Sequence, residues 1–211
     1  MTVTGSIKGL KKGELYLQYL KDTVLVTIDS LEIKGNGDFS FKTPIESPDI
    51  YYLYLVKNDH NTINDRITFF GEPGIITIAS TWDTFDTSAK ITGSKSNEKY
   101  EEYKKGMSRY NARSLELLQE RFNPKFTNDS LAIDSLVQLG DKNIYRSYAY
   151  ALNFALNNKD SYVAPYIAIN EVADANIKYL DSISKMLTPE VAASKYGKAL
   201  KKYIEEVSPK N

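Results

Sequence analysis

The residue types that carry most covalent and metal chemistry are nearly missing from this chain. It holds no cysteine and a single histidine, His60. Thiol catalysis, disulfides and cysteine-ligated zinc or iron–sulfur centres therefore have nothing to be built from. His60 sits among Asn58, Asp59 and Asn61 in a polar run and reads as a solvated loop residue. A Ser–His–acid triad would have to use it, and no Gly-x-Ser-x-Gly elbow accompanies it. Phosphate-binding loops need glycines between a strand and a helix. Here Gly5, Gly9, Gly13, Gly35, Gly37, Gly71 and Gly74 punctuate predicted strands instead. Paired-carboxylate hydrolysis keeps an opening, because the 27 acidic residues offer many pairs and none is set apart by its context. The expectation is a non-catalytic protein with no catalytic residue, no metal and no cofactor.

Tyrosine is the positive signal. There are 16 of them, and Tyr51, Tyr52 and Tyr54 share one predicted strand. A tyrosine offers an apolar ring and a hydrogen-bonding tip, which suits recognition surfaces and sugar stacking as well as cores. Trp82 is the only tryptophan. It follows a predicted strand, where it could serve as a lid on the core or as a ligand platform. The candidate ligand-binding residues are Tyr51, Tyr54 and Trp82.

A second pattern is Asp, then Ser or Thr, then an aliphatic residue. It occurs at Asp22-Thr23-Val24, Asp29-Ser30-Leu31, Asp129-Ser130-Leu131, Asp134-Ser135-Leu136 and Asp181-Ser182-Ile183. It resembles an O-glycosylation sequon of exported Gram-negative proteins, although Asp-Ser and Asp-Thr also serve as caps and turns.

The elements that must position these residues change character along the chain. The first part alternates with a period of two, through residues 2–8, 14–20, 24–33, 39–42, 51–56, 67–70, 75–79 and 90–92. Asn36-Gly37 is a strong hairpin signal and Glu72-Pro73-Gly74 a tight-turn signal. Beyond Ser94 the apolar period lengthens toward 3.6. Ser96 reads as an N-cap, Asn123-Pro124 as a break, Asp129 as a second start and Asp160 as the neighbourhood of a third. Thr188-Pro189-Glu190 reads as a fourth start, with a capping hydroxyl and proline in the first turn. The expected fold class is α+β: an antiparallel β-sandwich or partly open barrel over residues 1–94, then a bundle of about four helices over residues 95–211.

Bulk properties narrow the partners. The formal net charge is zero, which removes the excess of Lys and Arg that nucleic-acid binding draws on. No run of about 18 apolar residues is present, so no transmembrane helix is expected.

The order of several short motifs resembles a domain-of-unknown-function family of Gram-negative envelope proteins. The matching residues are Val3-x-Gly5-x-Ile7-x-Gly9, Gly13, Tyr16-Leu17, Asp29-Ser30 and Gly37-x-Phe39-x-Phe41. They continue through Glu72-Pro73-Gly74-x-Ile76-x-Ile78, Ile91-x-Gly93-Ser94 and Asn97-Glu98. The helical part is similar to the segment that usually follows, through Asp160-Ser161-Tyr162-Val163-Ala164 and Ser194-Lys195-Tyr196-Gly197-Lys198. In that family the domain often precedes a thioredoxin-like thiol-disulfide oxidoreductase module. This chain reads as a standalone form, without the Cys-x-x-Cys pair such chemistry needs. The resemblance implies a periplasmic or outer-membrane lipoprotein, with a signal and acylated cysteine upstream of residue 1. It implies a binding or interaction module for an envelope protein partner, for instance an accessory to a separate thioredoxin-like protein. The alternative is a carbohydrate- or peptide-binding protein using a tyrosine-rich surface, so that a glycan is the other expected partner.

Overall fold

Period-two alternation between Thr2 and Thr92 becomes eight strands in the computed structural model. The structure describes residues 1–21, 23–57, 65–126 and 129–207. His60 lies outside the described residues, as does Asp22 of the first Asp-Thr-aliphatic triplet. The chain divides into two compact units, Met1–Tyr100 and Glu101–Asn211.

In the first unit the strands are β1 (Thr2–Lys8), β2 (Lys12–Lys21), β3 (Val24–Lys34), β4 (Asp38–Lys42), β5 (Asp49–Val56), β6 (Asp65–Gly71), β7 (Ile75–Thr81) and β8 (Lys90–Thr92). They form two four-stranded sheets, ordered β4-β1-β7-β8 and β3-β2-β5-β6. Neither sheet closes into a barrel. The expected antiparallel pairing holds everywhere but at one ladder: β1 and β7 run parallel, from Thr2 opposite Ile75 to Lys8 opposite Thr81.

The reason lies in the turns. The Gly9–Gly13 loop, Asn36-Gly37 and Glu72-Pro73-Gly74 all carry hairpin or tight-turn chemistry, yet each hands the chain from one sheet to the other. A local signal marks where the backbone can reverse, not which strand it pairs with next. Gly35 takes the positive φ of 98°. At Gly37 a Cβ would stand 2.0 Å from the carbonyl oxygen of Ile7, whose N–H in turn donates to the Gly37 carbonyl. That close approach needs glycine.

Inward side chains of both sheets meet in one apolar cluster, with Val3, Ile7, Ile76 and Ile78 from the first and Leu15, Leu17, Leu53 and Leu55 from the second. Trp82 does not cover it. The tryptophan is 44% exposed and lies over Gly9, where a Cβ would meet its Cδ1 at 2.5 Å. Phe85, fully buried, takes the lid position. Its carbonyl accepts from Ser80 Oγ at 2.6 Å.

The first unit is sealed where the first helix, α1 (Lys95–Arg121), begins. Its cap is Ser94, two residues earlier than Ser96: Ser94 Oγ accepts from the N–H of Asn97 at 2.9 Å and donates to the Phe70 carbonyl at 2.8 Å. Asn97 Oδ1 accepts from the N–H of Phe70 at 2.9 Å. The Glu72 carboxylate accepts from the N–H of Lys95 and from Ser96 Oγ, both at 2.6 Å. A negative group on the first free amides of a helix is where the helix dipole favours it. Glu72, Gly93-Ser94 and Asn97 thus form one structural joint.

Among the described residues the helical part contains six α-helices instead of about four, counting α1. α2 (Ser130–Asn157) begins at Asp129, whose side chain accepts from the N–H of Ala132, as expected. The third expected helix is split into α3 (Val163–Asn170) and α4 (Ile177–Met186), because Asn176 opens a new one by accepting from the N–H of Lys178. The fourth is split into α5 (Pro189–Ala192) and α6 (Lys195–Val207). Pro189 starts α5, but the Thr188 side chain makes no cap hydrogen bond. The working hydroxyl is Ser194, which accepts from the N–H of Gly197 at 3.2 Å. Among the described residues no helix is long and apolar enough to cross a membrane.

The tyrosine–arginine face of the second sheet

Alternation along β5 separates the two tyrosines singled out from sequence. Tyr51, Leu53 and Leu55 point into the core, and Tyr52 and Tyr54 point the other way. Tyr51 is 6% exposed and stacks between Tyr19 and Phe69, with centroids 6.0 and 5.9 Å away. Its phenol is pushed up to about 12 from an ordinary 10.0, by burial first and by Asp49 and Tyr19 second. Tyr54 belongs to the opposite, outward face. Trp82 follows β7 in the other sheet, with Lys57 Nζ 5.7 Å from its ring centroid. The three predicted residues therefore do not share a site.

The outward face of the second sheet does bring chemistry together. Register sets Tyr16 of β2 beside Tyr54 of β5, and Tyr54 beside Arg66 of β6. The two rings lie 6.1 Å apart. The Arg66 guanidinium stands 5.1 Å from the Tyr52 centroid and 5.6 Å from that of Tyr54, within cation–π range of both. Tyr52 is raised above the ordinary tyrosine range by burial, with Arg66 pulling the other way.

Gln18 occupies the centre, opposite Tyr52. The register shifts by one residue between Leu17 and Gln18, so that Thr27 instead of Ile28 sits across from it. Gln18 Nε2 donates to Thr27 Oγ1 at 3.1 Å. Its Oε1 is buried beneath this face and has no hydrogen-bond partner among the described residues.

The same face continues into a pocket of about 390 Å³ at the end of β2 and β3, lined by Lys11, Lys12, Glu14, Glu32 and Lys34. Tyr16 donates its hydroxyl to Glu14, and that hydrogen bond is the first cause holding the Tyr16 phenol above its usual range. Glu14 and Glu32 stand opposite each other in register. Facing carboxylates could in principle act as acid and base. Both are exposed, however, and Glu32 is already paired with Lys34 at 2.7 Å.

Sequence reasoning passed over Tyr52 and Arg66 as site residues. The signal that would have found them is parity: residues of one parity on a central strand share a face, and its neighbours supply the rest.

Residues 1–100 match the family model of a domain of unknown function (DUF4369). The match confirms, for the first unit, a domain-of-unknown-function family. No curated protein and no solved structure matches the chain. Among the described residues no group of three His, Asp or Glu side chains could hold a metal ion. Ser30, Ser130, Ser135 and Ser182 of the Asp-Ser-aliphatic triplets are exposed. Ser135 and Ser182 hydrogen-bond to the helix carbonyls of Leu131 and Lys178, the ordinary local role of such residues.

Proposed function

We propose that this is a non-catalytic binding protein of the Gram-negative envelope, carried as a lipoprotein, and that its ligand is an oligosaccharide held on the outward face of the second sheet. The observation that carries the reading is the row Tyr16, Tyr54, Arg66 with Tyr52 beside it, four residues on three adjacent strands. Sugar rings present an apolar face to tyrosine and a hydroxyl rim to polar groups. Glu14 and the lysines of the adjoining pocket supply that rim. The exposure of Glu14 and Glu32 favours hydrogen bonding to hydroxyls over proton transfer. The envelope address and the lipid anchor rest on the family likeness of the first unit.

The test is an array of envelope oligosaccharides, derived from lipopolysaccharide and from peptidoglycan, probed with the wild-type chain and with Tyr54→Ala, Tyr16→Ala and Arg66→Ala. Stacking contacts of this kind are worth on the order of 1 kcal/mol each, so each variant should lose about fivefold or more in affinity while melting within a few degrees of wild type. Equal binding by all three variants sinks the assignment. Recovery of a thioredoxin-like protein from the envelope, with no glycan signal, would replace it with the accessory reading.

A further inference from the structure

The second unit leaves an apolar seam in water. α1 and α2 run antiparallel, levelled by Asn143, whose Nδ2 donates to the Tyr110 carbonyl and to Ser114 Oγ, each at 2.9 Å. Between the C-terminal part of α1 and the N-terminal half of α2 lies a groove of about 260 Å³, lined by Leu117, Leu118, Leu136, Val137 and Ile144. Leu118 is 50% exposed, Ile144 54%, and Phe122, one turn beyond Leu118, 76%. Leu115 and Val137 extend the stripe. At Gly140, in the groove wall, a Cβ would meet nothing within 4 Å, so the wall has a notch.

Two groups of opposite charge mark the groove's ends. Arg121 lies at the C-terminal end of α1 and Asp141 toward the groove's other end, near Ser114 and Ile144. Among the described residues neither has an ion-pair partner.

We propose that this groove is the interface of a homodimer, in which two α1–α2 pairs pack face to face as an antiparallel four-helix bundle. A two-fold axis through the Leu118–Val137 level, perpendicular to the helices, exchanges the groove's two ends. It brings Arg121 of one copy against Asp141 of the other, twice. It also seats Phe122 over the Gly140 notch of the opposite copy. A self-complementary patch is what a two-fold contact requires, and bundles of this kind pack through such apolar stripes. Leu115, Leu118, Phe122, Val137 and Ile144 together leave on the order of 500 Å² exposed, as much as the largest patch of a typical monomer. With the charged rim this approaches the roughly 800 Å² per partner of a standard interface. The dimer is independent of the sheet face assigned above to ligand.

Sedimentation velocity on the full chain tests it. The wild type should reach twice its 23.9 kDa mass in the micromolar range and dissociate on dilution. Leu118→Glu should be monomeric while keeping the wild-type circular-dichroism spectrum, its melt no longer dependent on protein concentration. Arg121→Glu and Asp141→Arg should each weaken association about tenfold, and the double variant should regain most of that loss, since only the exchanged pair restores attraction across the axis. A wild type that stays at 23.9 kDa at every concentration overturns the proposal. So does a double variant no better than its singles.

Discussion

Two tyrosines three positions apart on one strand have opposite duties. Tyr54 shares the outward face with Tyr16 and Arg66, and Tyr51 fills the core between Tyr19 and Phe69. Their chemistry separates them in solution. Because Tyr51 is raised to about 12 in the fold, the folded state holds its proton more tightly than the unfolded chain does. Its contribution is therefore fully present below pH 10.0 and is lost as pH rises toward 12. That difference corresponds to roughly 2–3 kcal/mol. Denaturant midpoints measured across that range should fall steeply for the wild type and more gently for Tyr51→Phe, which has no phenol to ionise. Identical slopes would show that the Tyr51 hydroxyl ionises as freely in the fold as outside it. The sequence showed an aromatic strand here, and alternation alone was enough to split its residues into two sets. Which set faced inward depended on the neighbouring strands.

At the scale of elements, local signals located ends better than connections. Asp129 opens α2 and Pro189 opens α5 as their types foretold. Ser96 and Thr188 were the natural caps by type, yet Ser94 and Ser194 hold the amides. Ser96 is instead occupied by Glu72, a residue from the turn between β6 and β7 that no local pattern could pair with it. Removing that carboxylate as Glu72→Ala should cost about 1–2 kcal/mol by thermal melting, as the loss of a helix cap does; no change would mean the joint is held by Ser94 and Asn97 alone. Gly106 in α1 makes a second test. Replacing an exposed helical glycine by alanine ordinarily gains about 0.5–1 kcal/mol. Here a Cβ would lie 1.8 Å from the Tyr150 hydroxyl, and that ring is fixed against Tyr103, Tyr110 and Phe154. Gly106→Ala should therefore lose about 1–3 kcal/mol through overpacking. A gain would show that Tyr150 can swing aside.

For the molecule as a whole, the sequence distinguished a β part from a helical part because the apolar period itself changes, from two to 3.6. It could not show that Asn36-Gly37 and Glu72-Pro73-Gly74 are crossings between sheets, since pairing is decided by which strand buries which face. It miscounted helices where a single capping residue, Asn176 or Ser194, restarts one after a short break. The face proposed to bind ligand was legible only as an excess of tyrosine. Its membership required three strands in register and a one-residue shift at Gln18. The most direct test of its role is nuclear magnetic resonance of the full chain, titrated with envelope oligosaccharides from lipopolysaccharide and peptidoglycan. The account predicts saturable shifts of the Tyr16, Tyr52 and Tyr54 ring signals and of the Arg66 guanidinium, with Tyr51 and Trp82 unmoved. Shifts centred on Trp82 or on the helices, or none with any of these sugars, would contradict it.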